Sequence, residues 1–358
     1  MSVEAIIKEH IRRLGPITVA EYMSLALLHP EHGYYMRLDP LGEAGDFITA
    51  PEISQIFGEL IGAWLAEQWI IMGKPQAALI ELGPGRGTLM NDVLRATKSV
   101  AGFHEAMSLH LVEASPILQQ KQRGLLAGKH PNLQWHTSFD DIPQKPLLLI
   151  ANEFFDALPI RQFIHNENKW QERMVGIDND CLTFICHPCE SRDPVVDNLD
   201  ASRRWHDNII YEHSQPSLDI TSSIARHIVA HDGAALMIDY GYAGGSRGDT
   251  LQAVRHHRYH DTLTEPGMAD LTAHVDFDAL KQAALAVGAA AHGAVTQRDF
   301  LMRLGGELRL ARLSKNATPA QKSAMLSAWK RLISEDQMGD LFKALCVTHP
   351  KHPKPEAF

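Results

Sequence analysis

Apolar residues recur at helical spacing at Ile6, Ile7, Ile11 and Leu14, and Gly15-Pro16 stops the run, so the chain opens with a helix. Thr18 and Glu21 have the spacing of a capping box, in which hydroxyl and carboxylate satisfy each other's backbone donors, and predict a second helix start. A loop punctuated by glycine, Gly33 to Gly45, leads to Thr49-Ala50-Pro51-Glu52, a further capping box with proline near the first turn. Behind it Ile53, Ile56, Phe57, Leu60, Ile61, Trp64 and Leu65 mark one face of a long helix, which Gly73 and Pro75 close.

From residue 77 the period changes. Short apolar runs, Ala77 to Leu82, Leu109 to Val112, Leu147 to Ile150 and Ala235 to Ile238, alternate with helical stretches, Leu89 to Ala96 and Ser115 to Leu126. That is how a parallel sheet with crossover helices reads. Between Pro159 and His231 the alternation is lost: two β segments, Arg161 to Ile164 and Leu182 to Cys186, precede a polar stretch rich in Asp and Arg. This region, about 160–230, reads as an insertion held on the sheet's edge. Phe277 to Val287 reads as helix and Ala294 to Thr296 as a last strand, while His349 to Phe358, with three prolines and no apolar period, reads as a frayed tail. The expected fold is α/β: a doubly wound, mostly parallel sheet with N-terminal helices and an inserted α+β segment. Its parts are a helical extension over 1–75, the ligand-binding sheet domain over 76–305, and a C-terminal helical segment and tail over 306–358.

Length and charge narrow the partners. With 358 residues, 45% of them hydrophobic, the chain can bury a sizeable core. A formal charge of −9 gives no global attraction to nucleic acid or to an anionic membrane, so neither is an expected partner. The first 14 residues lack the apolar core of a secretory signal, and no stretch approaches the roughly 20 apolar residues of a membrane span. A cytoplasmic location is expected, and a homodimer is allowed. Of four cysteines, Cys181, Cys186 and Cys189 cluster with His187, but the second C-x-x-C of a structural zinc site is missing; buried thiols in a hairpin are expected, and no metal. His256, His257 and His260 beside Asp261 read as a solvated loop.

The chemistry concentrates where strands end. Glu81-Leu82-Gly83-Pro84-Gly85-Arg86-Gly87-Thr88 sets three alternate glycines at a strand-to-helix turn, letting backbone approach a ligand closely. The spacing is G-x-G-x-G, not the G-x-G-x-x-G of a dinucleotide site, and Glu81 lies two residues before the first glycine. That suits a ligand with a cationic amino-acid end and no pyrophosphate, which Glu81 can face. Glu113, thirty residues after Gly83 at the next strand's end, can accept hydrogen bonds from both hydroxyls of a ribose. Asp140, after the third strand, is either a base contact or a solvated turn. Asn152, Glu153 and Asp156 follow the fourth strand, placing two carboxylates and an amide where they could orient an amine or guanidinium acceptor, or merely suit a helix N-terminus.

Six stretches together resemble the MidA-type methyltransferases: Gly45 to Glu59, Glu81 to Met90, Val112-Glu113-Ala114-Ser115-Pro116, Asn152 to Pro159, Ile238 to Gly241 and Ala269 to Phe277. The resemblance covers roughly residues 15 to 305, in order. This is the family of the mitochondrial complex I assembly factor that methylates an arginine. It implies a class I, Rossmann-like methyltransferase fold, S-adenosyl-L-methionine as donor, and symmetric dimethylation of an arginine in a respiratory complex I subunit. It also implies that the loop carrying Asp46, Thr49, Ser54 and Gln55 folds over the donor, that Ser115 belongs to the donor site, and that Asp270, His274 and Asp276 line the acceptor cleft. Three classes of function remain: protein-arginine methyltransferase, small-molecule methyltransferase, and a non-catalytic assembly factor that binds the donor.

Overall fold

The computed structural model describes residues 2–37, 46, 48–166, 169–188, 209–244 and 248–358. Helices Val3–Leu14 and Val19–Leu28 flank β1 (Ile17–Thr18). The capping box at Thr18 forms as its spacing predicts, with Thr18 N donating to Glu21 at 2.8 Å and Glu21 N to the Thr18 hydroxyl at 3.1 Å. The box expected at Thr49 does not. Thr49 makes no side-chain cap bond, because Glu52 instead accepts the Thr88 hydroxyl at 2.5 Å. The helix there stops after one turn, Ala50–Ile53, and Ser54, extended at φ −154°, caps a new helix, Gln55–Ile71, through Ile56 N.

Four strands follow with their crossovers: β2 (Ala77–Leu82), β3 (Met107–Val112), β4 (Leu133–His136) and β5 (Leu147–Asn152). Next come β6 (Arg161–Asn166), β7 (Lys169–Asp178), β8 (Cys181–Pro188) and β9 (Ile209–His213). After helix Gln215–His231 lie β10 (Gly233–Tyr242), β11 (Gln252–Arg255), β12 (Arg258–His260), β13 (Asp270–Thr272) and β14 (Val275–Asp276). Helix Phe277–Ala286 leads to β15 (Ala290–Thr296), and β16 (Phe342–Thr348) closes the order.

The main sheet runs β15-β16-β10-β5-β2-β3-β4. Pairing is parallel from β10 to β4, and β16 is antiparallel to both its neighbours. Helices Gln55–Ile71, Thr88–Thr97 and Pro319–Ile333 bury one face, and Gln215–His231 and Phe277–Ala286 the other, so the sheet is doubly wound as expected. The chain proceeds outward from β2 through β3 to β4, then returns to place β5 on the other side of β2. The carboxyl ends of β2 and β5 therefore flank a topological switch point, where open α/β sheets bind ligands.

Several expectations are corrected. The insertion does not sit on the edge of the main sheet; β6 to β9 join β1 in an antiparallel sheet of their own, β1-β7-β6-β9 with β8 on β7. The polar stretch expected after it lies outside the described residues. Cys181 and Cys186 lie in a hairpin but are exposed, since among the described residues β8 pairs on one side only, with β7; Cys189 lies outside the described residues. Among the described residues no group of His, Cys, Asp and Glu could hold a metal. His256 and His257 form the turn of a hairpin, β11–β12, at φ +51° and +60°. The C-terminal segment is not only helical, since β16 inserts between β10 and β15. Nor is the tail frayed: Ala357 and Phe358 are buried, the Phe358 ring packs 5.4 Å from that of Phe300, and Asp232 binds Lys351 and His352.

Residues 1–75 contribute to two cores. The first two helices pack with Val175, Ala253 and Leu271, whereas Gln55–Ile71 packs on the main sheet. Among the described residues no helix is long and apolar enough to cross a membrane.

Candidate functional site

A cavity of about 560 Å³ opens at the carboxyl ends of β2, β3 and β5. The glycine turn shapes one wall. Gly83, Gly85 and Gly87 all have positive φ, at +59°, +52° and +85°, and a Cβ on Gly83 would stand 2.9 Å from Phe154 Cδ2. Gly87 N closes the turn on Pro84 O at 2.7 Å, and Thr88 begins the next helix.

Glu81 is 3% exposed and lines this cavity. Burial, then the neighbouring Glu113, push its carboxyl well above the ordinary range, and its Oε2 has no hydrogen-bond partner. Asn152 Oδ1, on another cavity-lining residue, is likewise buried and unpartnered. Buried acceptors left open cost free energy and mark where a donor-bearing ligand belongs. The cationic amino-acid end of S-adenosyl-L-methionine fits that pair.

Glu113, at the end of β3, is fixed from both sides: Oε1 accepts Ser115 N at 2.8 Å and Oε2 accepts Gln122 Nε2 at 3.1 Å. Burial raises it to about 7 despite those bonds. Gln122 also donates to Gly85 O at 2.7 Å and accepts Trp135 Nε1 at 2.9 Å, so one side chain ties Glu113 to the glycine turn. Sequence reasoning missed it, although a signal existed: Leu118, Gln122 and Leu126 form one buried stripe of their helix, a glutamine in an apolar row. Gln122→Leu keeps the volume and removes these bonds. Donor affinity should fall about tenfold by calorimetry, and an unchanged value would refute the tie.

The other expected donor contacts divide. Pro84, Thr88, Thr49 and Asp140 line the cavity, Asp140 from the short turn Phe139–Asp141 beyond β4. Asp46, Ser54, Gln55, Gly87 and Ser115 are not among its walls. Asp46 is buried and accepts the Tyr34 hydroxyl at 2.5 Å and His256 N at 2.6 Å. Ser54 caps its helix, and Ser115 caps Pro116–Leu126 while donating its hydroxyl to Tyr35 O at 2.6 Å.

Beside the donor wall lies a group of acids. Glu153 has a left-handed backbone, φ +50°, which places strain at a ligand site. The turn is held by Asp239 of β10, whose Oδ2 accepts Phe154 N, Phe155 N and Asp156 N at 3.1, 2.9 and 3.2 Å. Glu153 Oε1 accepts Ala50 N at 3.0 Å and Asn152 Nδ2 at 3.3 Å, yet burial raises the group to about 7. Burial likewise lifts Asp156 to about 6 against a bond from Tyr240, and Asp270 to about 8, with Asp156 adding repulsion. The charged groups acting on these three acids are other carboxylates, apart from Arg331 on Glu153. Asp270 thus joins Glu153 and Asp156. His274 and Asp276 do not line the donor cavity: His274 stacks edge-on to Tyr240 at 5.4 Å, and Asp276 caps Phe277–Ala286 through Ala279 N at 3.0 Å.

These raised acids make ligand-free stability depend on pH. Glu113, Glu153 and Asp270 hold protons in the folded chain between about 4.5 and 7–8, where the unfolded chain has released them, and burial pushes Glu81 in the same direction. Stability is therefore greatest at the lower end of that window and falls as pH rises through it. The melting temperature without ligand should drop by on the order of 5 °C between pH 6 and pH 8, read by differential scanning fluorimetry; a rise would contradict the burial of these acids.

Residues 60–295 match the family model of S-adenosyl-L-methionine-dependent methyltransferases. The protein arginine methyltransferase NDUFAF7, mitochondrial, of Danio rerio is 38% identical over 93% of this chain and 83% of its own. That of Mus musculus is 39% identical over 93% and 81%. Among solved structures, a Burkholderia thailandensis protein bound to S-adenosyl-homocysteine superposes with a TM-score of 0.88 at 26% identity, covering 99% of this chain and 94% of that one. The relatives are named as mitochondrial, which overturns the cytoplasmic location expected above. Bulk charge and cysteine count describe a folded body and carry no address.

Proposed function

The chain belongs to the S-adenosyl-L-methionine-dependent methyltransferase family, and from that premise we propose that its methyl acceptor is the guanidinium of an arginine in a protein. The observation that carries this reading is the group Glu153, Asp156 and Asp270, one half-buried and two buried carboxyls beside the donor cavity whose charged neighbours are almost all acids. Such a group asks for a cation. A guanidinium is planar, stays charged, and offers paired donors that match carboxylates.

When bound, S-adenosyl-L-methionine supplies a methyl group activated on a sulfonium. Glu81 and Asn152 would hold its ammonium end, Glu113 its ribose hydroxyls and Asp140 its base. Glu153, nearest the donor wall, orients the acceptor nitrogen, since methyl transfer demands in-line placement above all. The relatives named as protein arginine methyltransferases support the same acceptor. The finer assignment, symmetric dimethylation of a respiratory complex I subunit, rests on the MidA-type resemblance.

Incubation with radiolabelled donor and a lysate of cells lacking the protein, followed by mass spectrometry of the labelled band, tests the proposal. Dimethylarginine in one polypeptide is the expected product. Label confined to a small molecule, or to a lysine, would replace this reading with another methyltransferase class, and no label at all would favour a donor-binding assembly factor.

A further inference from the structure

Tyr35 lines the donor cavity from the short helix Tyr34–Arg37, far from the glycine turn in sequence. Three contacts fix it. Its hydroxyl donates to Asp270 Oδ1 at 2.8 Å, its carbonyl accepts the Ser115 hydroxyl at 2.6 Å, and its ring meets Tyr34 edge-on at 5.2 Å. Ser115 N donates to Glu113 Oε1 at 2.8 Å, so the backbone of Tyr35 is registered to the ribose acid. On the opposite side the Tyr34 hydroxyl donates to Asp46, which the His256 amide also holds. One residue therefore touches the donor wall and an acceptor acid together.

We propose that Tyr35 is a positioning residue for the acceptor, its hydroxyl holding Asp270 in the orientation that receives the guanidinium; this rests on the arginine reading above. Without that donor, Asp270 keeps the Leu271 amide and faces Asp156 and Asp46, both of its own sign, with Tyr240 across from it on β10. A carboxylate so placed protonates or turns away. The Tyr35 hydroxyl keeps its proton, because burial and the charges of Asp270 and Asp156 push it well above the ordinary phenol range, so it donates across the working pH range.

The test uses the full chain as wild type, Tyr35→Phe, Asp270→Asn and the double variant. Methyl transfer to the blocked peptide acetyl-Gly-Gly-Arg-Gly-Gly-amide is followed against pH, and S-adenosyl-homocysteine binding is followed by calorimetry. Tyr35→Phe retains the ring, and should raise the peptide KM about tenfold with kcat and donor affinity within about twofold. The acid limb of kcat/KM should move to higher pH, because Asp270 binds its proton more tightly without the hydroxyl. In the Asp270→Asn background the same change should add less than about twofold, since it acts through that carboxylate. Additive losses, or a pH profile that stays in place while only thermal stability falls, would overturn the proposal. So would a peptide that reacts equally with Tyr35→Phe and wild type, which leaves the arginine reading standing. Wild-type protein that binds S-adenosyl-homocysteine but transfers no methyl to the peptide overturns both.

Discussion

Glu153→Gln should lower methyl transfer by about 100-fold or more while S-adenosyl-homocysteine binds within about twofold. The substitution keeps the length and planarity of the side chain, and its amide oxygen can still accept Ala50 N, which Glu153 Oε1 accepts at 3.0 Å. What it removes is the charge. A guanidinium left beside a neutral amide is neither localised nor held in line, and a displacement of about 1 Å is enough for a loss of this size. The pH profile provides a second reading. Burial brings Glu153 to about 7, so wild-type activity should rise with pH through that value as the carboxylate forms, and the variant should lack that limb. Turnover within threefold of wild type, in protein whose donor-bound melting temperature is unchanged, would remove Glu153 from the acceptor site.

Glu81→Gln is expected to weaken donor binding by about 10- to 100-fold, the range of a hydrogen bond to a charged group. Glutamine resembles the protonated acid that burial favours in the free protein, so the fold should tolerate it. The donor's ammonium favours the ionised form instead. Binding to wild type must then expel a proton, and donor affinity should rise with pH over the range in which Glu81 is protonated. Calorimetry in two buffers of different ionisation enthalpy would read that proton directly, and the variant should release less. Equal donor affinity in the two proteins would mean that the unpartnered Oε2 faces something other than the ligand's cation.

The glycine wall of the cavity was legible because its parts are local. Ala77 to Leu82 becomes β2 with the same bounds and carries the acid, Glu81, and the glycines and the helix start follow within six residues. Glu113 needed only the next strand end. Gln122 and Asp239 escaped for opposite reasons. The first is a polar residue whose partners, Glu113, Gly85 and Trp135, come from three different segments. The second closes an obvious strand, but its work is to gather three amides from a turn more than eighty residues away. The strand β7 was missed because its residues, Lys169 to Asp178, mix charged and apolar side chains on a half-exposed surface, where no clean alternation survives.

Hydrophobic period, turn chemistry and the spacing of glycine and acid are properties of neighbouring residues. By themselves they determined the α/β class, the runs that become β2, β3, β5 and β10, and the strand-end acids Glu81 and Glu113, which the fold brings to one cavity. The acceptor side is different. Asp156 and Asp270 become raised, mutually repelling acids only because the segment after β13 meets the turn after β5, where Ala273 N donates to Asp156 O at 3.0 Å, and Tyr35 reaches Asp270 across 235 positions of chain. Charge pairing, desolvation and which of several acids faces the donor depend on distances through space, which no local pattern carries. The same holds for β16, an apolar run whose place between β10 and β15 was decided by the partners that packing left open.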